Sequence, residues 1–126
     1  MLKILIADDH AVVRQGLRYI LSEMPELGEG GEATDGQDAL NQVRAQPWDV
    51  LVLDMSMPGR GGLDILKDVR RERPETRVLV LSMHPEDQFA VRMLKAGASG
   101  YLTKESATDE LVKAVRKGMT GGKYVS

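Results

Sequence analysis

The sequence has no cysteine, only two histidines, and no apolar run near the roughly 20 residues needed to span a bilayer. Without cysteine there are no disulfides and no thiolate chemistry, which suits a reducing compartment. Without a long apolar run no membrane-spanning helix is expected, and Met1-Leu2-Lys3 reads as the start of a strand rather than a signal peptide. A surplus of positive charge is also missing: the net charge is −2 with 29% charged residues, so neither nucleic acid nor an anionic membrane is expected as a direct partner of this chain. No internal repeat or low-complexity tract is visible. The expectation is a soluble, cytoplasmic chain whose 126 residues make about one domain with a real core.

What is present is an alternation of two periods. Short continuous apolar runs fall near 2–7, 49–53, 77–82 and 100–102, as in strands buried on both faces. Helical spacing lies between them, in Val12, Val13, Gly16, Leu17, Ile20 and Leu21, and again in Phe89, Ala90, Met93, Leu94 and Gly97. Pro25, Pro47 and Pro74 each follow a helical pattern, where a residue without an amide hydrogen stops a helix at least cost. His84-Pro85-Glu86-Asp87 is expected to open the fourth helix, and Ser106 with Asp109 has the spacing of a capping box for the fifth. The least regular segment is Leu27-Gly28-Glu29-Gly30-Gly31-Glu32-Ala33, whose three glycines disfavour a strand and place it at a sheet edge if it is one. The pattern gives an α/β fold, a (βα)5 doubly wound parallel sheet with helices on both faces.

In such a sheet the loops after the strand carboxyl ends form the ligand crevice. The apolar runs end at Asp8-Asp9, at Asp54, at Ser82 and just before Lys104. Taken singly, each has a plain structural reading: a helix cap for Asp8 or Asp9, a turn cap for Asp54, a loop hydroxyl for Ser82, an exposed lysine for Lys104. Taken jointly they form a charge balance. A carboxylate that attacks a phosphoryl group needs positive charge supplied to both, and magnesium wants about six hard oxygens. Asp9 and Asp54 are assigned as direct ligands, Ser56 as a backbone-carbonyl donor, and Asp8 as a ligand through water. Without a cation, three carboxylates repel one another by roughly 3 kcal/mol per pair at about 5 Å and an effective dielectric of about 20.

The pieces Ile6-Ala7-Asp8-Asp9-His10, Leu53-Asp54-Met55-Ser56-Met57-Pro58-Gly59, Leu81-Ser82 and Ala96-Gly97-Ala98-Ser99-Gly100-Tyr101-Leu102-Thr103-Lys104 resemble the receiver domain of bacterial response regulators over essentially the whole chain. The resemblance implies a flavodoxin-like sheet of strand order 2-1-3-4-5. It implies phosphorylation of Asp54 from a sensor histidine kinase, magnesium at Asp8 and Asp9, and contacts from Ser82 and Lys104 to the phosphoryl group. It also implies Tyr101 as a switch aromatic that turns inward as the Ser82 hydroxyl moves, although an ordinary half-buried strand tyrosine reads the same way. The domain would be a phosphoacceptor that assists its own phosphotransfer and dephosphorylation rather than an enzyme. Phosphorylation is expected to favour a homodimer.

Two features depart from the broader family. Lys104 is followed by Glu105 where many relatives carry proline, so no cis bond is expected there, and the glycines of the second strand are unusual. His10 and His84 border the crevice without a ligand-spaced partner and are read as solvent-facing or loop-packing residues, and the run Arg70-Arg71-Glu72-Arg73 as a solvated helix end. The receiver is placed at 1–118 and the start of an interdomain linker at 119–126. The segments around His10, His84 and Gly97 resemble receivers of the NarL/FixJ type, which implies a parent protein with a LuxR-like helix-turn-helix that binds DNA. A stand-alone receiver acting through protein contacts is the alternative. An aspartate-nucleophile phosphatase fits less well, since the acid it would need two residues after Asp54 is Ser56; a flavin carrier fits less well because Asp8-Asp9 would repel a phosphate.

Overall fold

Successive residues of a strand point to opposite faces, so a continuous apolar run needs cover on both. The computed structural model describes residues 1–57, 61–83 and 87–125, the side chains of 87–89 excepted. Its elements are β1 (Leu2–Ala7), α1 (Ala11–Ser22), β2 (Leu27–Ala33), α2 (Gly36–Ala45), β3 (Val50–Asp54), α3 (Gly62–Glu72), β4 (Arg77–Ser82), α4 (Asp87–Lys95), β5 (Gly100–Thr103), α5 (Lys104–Met119) and β6 (Tyr124–Val125). All strand pairings are parallel and the order is β2-β1-β3-β4-β5-β6. The expected order of five strands holds, with a sixth added. Pro58, Gly59, His84, Pro85 and Glu86, all named above, and Ser126, the last residue of the expected linker, lie outside the described residues.

The strand residues divide between two cores as the pleat requires. Leu5, Ala7, Leu51, Leu53, Val78 and Val80 pack with Leu40 and Val43 of α2, Ile65, Leu66 and Val69 of α3, and Met93 of α4. Ile4, Ile6, Val50, Val52, Leu79 and Leu81 pack on the other face with Leu17 and Leu21 of α1 and Leu111 and Val115 of α5.

β2 lies at the sheet edge, as expected, and its glycines have a packing reason. A Cβ at Gly31 would fall 2.6 Å from Trp48 Cη2 and 3.2 Å from Leu5 Cδ1. The buried indole takes the space of a side chain, with its N–H donating to the Gln42 carbonyl at 3.1 Å.

Two predicted details are corrected. The cap of α5 is Thr103, not Ser106: Thr103 Oγ1 accepts from the Ser106 amide at 3.1 Å, so the helix begins at Lys104. Gly97, read as part of a helix face, follows α4 at φ +107°, with the Ala98 amide donating to Met93 O and the Gly97 amide to Leu94 O. That is the Schellman arrangement, which favours glycine at its left-handed position. The same pattern recurs after α5 at Gly121, φ +88°, where the Gly122 amide reaches Lys117 O at 3.0 Å.

This second turn carries the chain back to the sheet. Within 119–126, read from sequence as a linker start, Tyr124 donates its amide to Ser99 O at 3.0 Å and its hydroxyl to Glu110. Gly100 permits the approach, since a Cβ there would lie 2.9 Å from the Tyr124 carbonyl oxygen.

Candidate functional site

Because β1 and β3 are neighbours in the sheet, the acids that follow or end them meet at its carboxyl edge. Asp8 leaves β1 with its amide on Ala33 O of β2 at 3.1 Å, and its Oδ1 accepts the His10 amide at 2.8 Å. Asp54 ends β3, and its Oδ1 accepts from the Ser56 amide at 3.1 Å and the Ser56 hydroxyl at 2.9 Å. The turn cap expected of Asp54 is realised, whereas the helix cap expected of Asp8 or Asp9 is not, since His10 is the N-cap of α1 and no side chain caps it. Each of Asp8 and Asp54 uses one oxygen locally and leaves the other for the crevice.

Those remaining oxygens share one cation. Lys104 Nζ lies 3.0 Å from Asp8 Oδ2 and 3.2 Å from Asp54 Oδ2. Both carboxylates are buried, Asp8 completely. Asp8 Oδ2 has the ammonium as an ion-pair contact, while no described donor is aimed at it for a hydrogen bond. Burial is the largest influence on Lys104 and opposes its charge; Asp8 and Asp54 together outweigh it and hold the ammonium above the ordinary lysine range. Lys104 also occupies the first turn of α5, where the helix dipole disfavours a cation, so its position depends on the acids of β1 and β3.

Ser82 ends β4, one residue beyond the Leu81 that pairs with Asp54, and is 9% exposed. Tyr101, in β5, is buried in the core cluster that contains Val80, Ala90 and Met93.

Asp9 is exposed beside Asp8. The sequence reading set His10 aside for want of a ligand partner. His10 is exposed, as expected, but it does have acidic neighbours: its Nδ1 is 3.2 Å from Asp8 Oδ1 and 3.1 Å from Asp9 Oδ1. Asp8, Asp9, His10 and Asp54 each offer an atom within 4.8 Å of the others'. The adjacency of His10 to Asp8-Asp9 was the available signal, and spacing rules for helical ligand pairs missed it because His10 precedes the helix. The acidic cluster has the character of a metal site.

A parallel α/β sheet whose crevice sets Asp8 and Asp54 on one ammonium, with Asp9 beside them, has the character of a cation site and would repel a dinucleotide. The model of the response regulator receiver domain matches residues 4–116, and the chain belongs to that family, the receiver domains of two-component response regulators. The response regulator UvrY of Escherichia coli O157:H7 is 38% identical over all 126 residues, which span 58% of that protein's length. A LuxR-family two-component response regulator from Aurantimonas sp. superposes with a TM-score of 0.87 at 34% identity, over 97% of this chain and 87% of that one. The isolated REC domain of RcsB from Salmonella enterica serovar Typhimurium gives a TM-score of 0.91 at 27% identity, over 100% of this chain and 93% of that one.

Proposed function

We propose that the domain is a phosphorylation-dependent switch that accepts a phosphoryl group on Asp54 from a sensor histidine kinase. The observation that carries the reading is the buried triangle of Asp8, Asp54 and Lys104, two acids and one base brought from three separate strand ends. Such a cluster is a poor choice for stability alone, since burying charges costs several kcal/mol per ion before their attraction is recovered.

In the transfer, an Asp54 oxygen forms a bond to phosphorus as the bond from phosphorus to the donor imidazole nitrogen breaks, and the electron pair stays on that nitrogen. Lys104 offsets negative charge at the acid, and the Ser82 hydroxyl donates to a phosphoryl oxygen. Magnesium fits the donor set: Asp9 and Asp54 would bind directly, with the Ser56 carbonyl, and Asp8 through water. The buried Asp8 Oδ2, lacking a directed hydrogen bond, supports this. When bound, the ion supplies the positive charge that lets an anionic carboxylate meet an anionic phosphoryl group.

Phosphorylation adds charge and acceptor oxygens at one point. Ser82 and Lys104 are drawn toward them, Tyr101 transmits the shift through the core, and the surface of α4, β5 and α5 changes its affinity for a second copy. The domain is a phosphoacceptor that assists its own phosphotransfer and dephosphorylation, not an enzyme turning over a separate substrate. The parent protein carries a LuxR-type helix-turn-helix that binds DNA, a reading supported by the LuxR-family likeness and by the 58% span of UvrY. The reading places it in the cytoplasm; among the described residues no helix is long and apolar enough to cross a membrane.

With acetyl phosphate and magnesium, wild type should be labelled and Asp54→Asn should not. Undiminished labelling of that variant removes the assignment. Sedimentation with a beryllofluoride mimic should show dimer; an unchanged monomer removes the dimer reading alone.

A further inference from the structure

A second polar centre lies at the amino ends of the strands, on the opposite side of the sheet from Asp54. There Arg70 of α3, Arg77 at the start of β4, Ser99 before β5 and Lys123 before β6 bound a cavity of about 220 Å3. None of the described residues that line it is acidic.

Its three cations donate to main-chain carbonyls. Arg70 Nη1 reaches Pro74 O at 2.7 Å and Thr76 O at 3.1 Å. Arg77 uses Nη1 on Glu75 O at 2.8 Å and Nε on Gly118 O at 3.3 Å. Lys123 Nζ reaches Ala98 O at 2.9 Å. Carbonyl groups orient a cation without cancelling its charge. Elsewhere Arg14, Arg18, Arg44 and Arg116 each face a glutamate at 3.0 Å or less, whereas no described carboxylate pairs with Arg70, Arg77 or Lys123. Gly97 fixes part of the geometry, because a Cβ there would lie 3.0 Å from both Cγ and Nε of Arg70.

We propose that this cavity binds a small oxyanion of the phosphate class, inorganic phosphate or a phosphomonoester, held by Arg70, Arg77 and Lys123 with the Ser99 hydroxyl as a further donor. A doubly charged tetrahedral anion matches several converging donors, and a guanidinium can serve two of its oxygens at once. The anion relieves repulsion among three like charges. It also bridges β4 to the tail, so its occupancy pins β6 against β5.

The test is an amide NMR titration of the intact chain with inorganic phosphate at neutral pH and constant ionic strength, with chloride as control. Saturable shifts are expected at Gly97, Ser99, Gly121 and Gly122. Arg77→Gln and Lys123→Gln should each weaken binding about tenfold, the loss of one charge-assisted hydrogen bond. Lys123 is exposed on the tail, so its variant keeps the test valid even if Arg77→Gln fails to fold. Asp54→Asn should bind phosphate as wild type does, which separates this site from the acidic crevice. Shifts that never saturate, equal shifts with chloride, unchanged affinity in Lys123→Gln, or affinity lost in Asp54→Asn would each overturn the proposal.

Discussion

The carboxyl and amino ends of the sheet carry opposite charge and are held by different kinds of contact. At the carboxyl end, side chains answer side chains: Asp8 and Asp54 meet Lys104 at 3.0 and 3.2 Å. At the amino end, side chains answer the main chain, with Arg70, Arg77 and Lys123 on carbonyl oxygens. The carboxyl end breaks local rules, placing a lysine in the first turn of α5 and two buried acids side by side. The amino end mostly obeys them, with glycine at the left-handed position of two Schellman turns. Local conflict resolved only by distant partners is the pattern expected of a functional or strained site.

The largest test of this contrast is Lys104→Met. It leaves two buried carboxylates without their shared cation, and urea unfolding without metal should show a loss of about 3 kcal/mol. Magnesium should restore most of it. An equal loss with and without saturating magnesium would mean that the acids do not share the lysine's place with a metal ion.

A smaller loss is expected at the other end from Gly100→Ala, whose Cβ would press on the Tyr124 carbonyl oxygen at 2.9 Å and on Leu79 Cδ2 at 2.9 Å. Overpacking should cost about 1–3 kcal/mol and release β6, read as lost exchange protection at the Tyr124 amide. Phosphorylation of Asp54 should be unaffected. If labelling falls with it, the two ends are coupled rather than separate.

The smallest effect concerns an amino-end arginine that does have a carboxylate. The hydrogen bond from Arg116 to Glu26 pushes that carboxyl down from 4.5 to about 2. A depressed folded pKa contributes stability that is present above about 4.5 and lost as pH falls toward 2. The pair is exposed and the effect correspondingly slight. Acid titration of the Glu26 carboxyl carbon should show the low midpoint, and Glu26→Gln should flatten that limb of the unfolding curve. An ordinary midpoint would remove the pairing.

The strands and most helix faces were legible because the two hydrophobic periods differ and each apolar run is short. The edge position of β2 was also legible from its glycines, but their cause was not: Trp48 fills the space above Gly31, and only the folded chain brings that ring there. The α5 start was misplaced because Ser106 and Thr103 are both cap-forming types, and the strand end at Thr103 decided between them. His10 was passed over for a related reason. Its nitrogen reaches two adjacent acids through a turn that no periodicity describes.

By itself the sequence determined the alternation of strand and helix, the two-sided core and the placing of acids, hydroxyl and lysine at strand ends, since these follow from hydrophobic period and chain order alone. Tertiary structure alone decided which oxygens share the lysine, that His10 joins the acids, and that the tail returns as β6 beside Arg70, Arg77 and Lys123. Those outcomes depend on distances between residues far apart in the chain, and such distances exist only after the sheet has closed them.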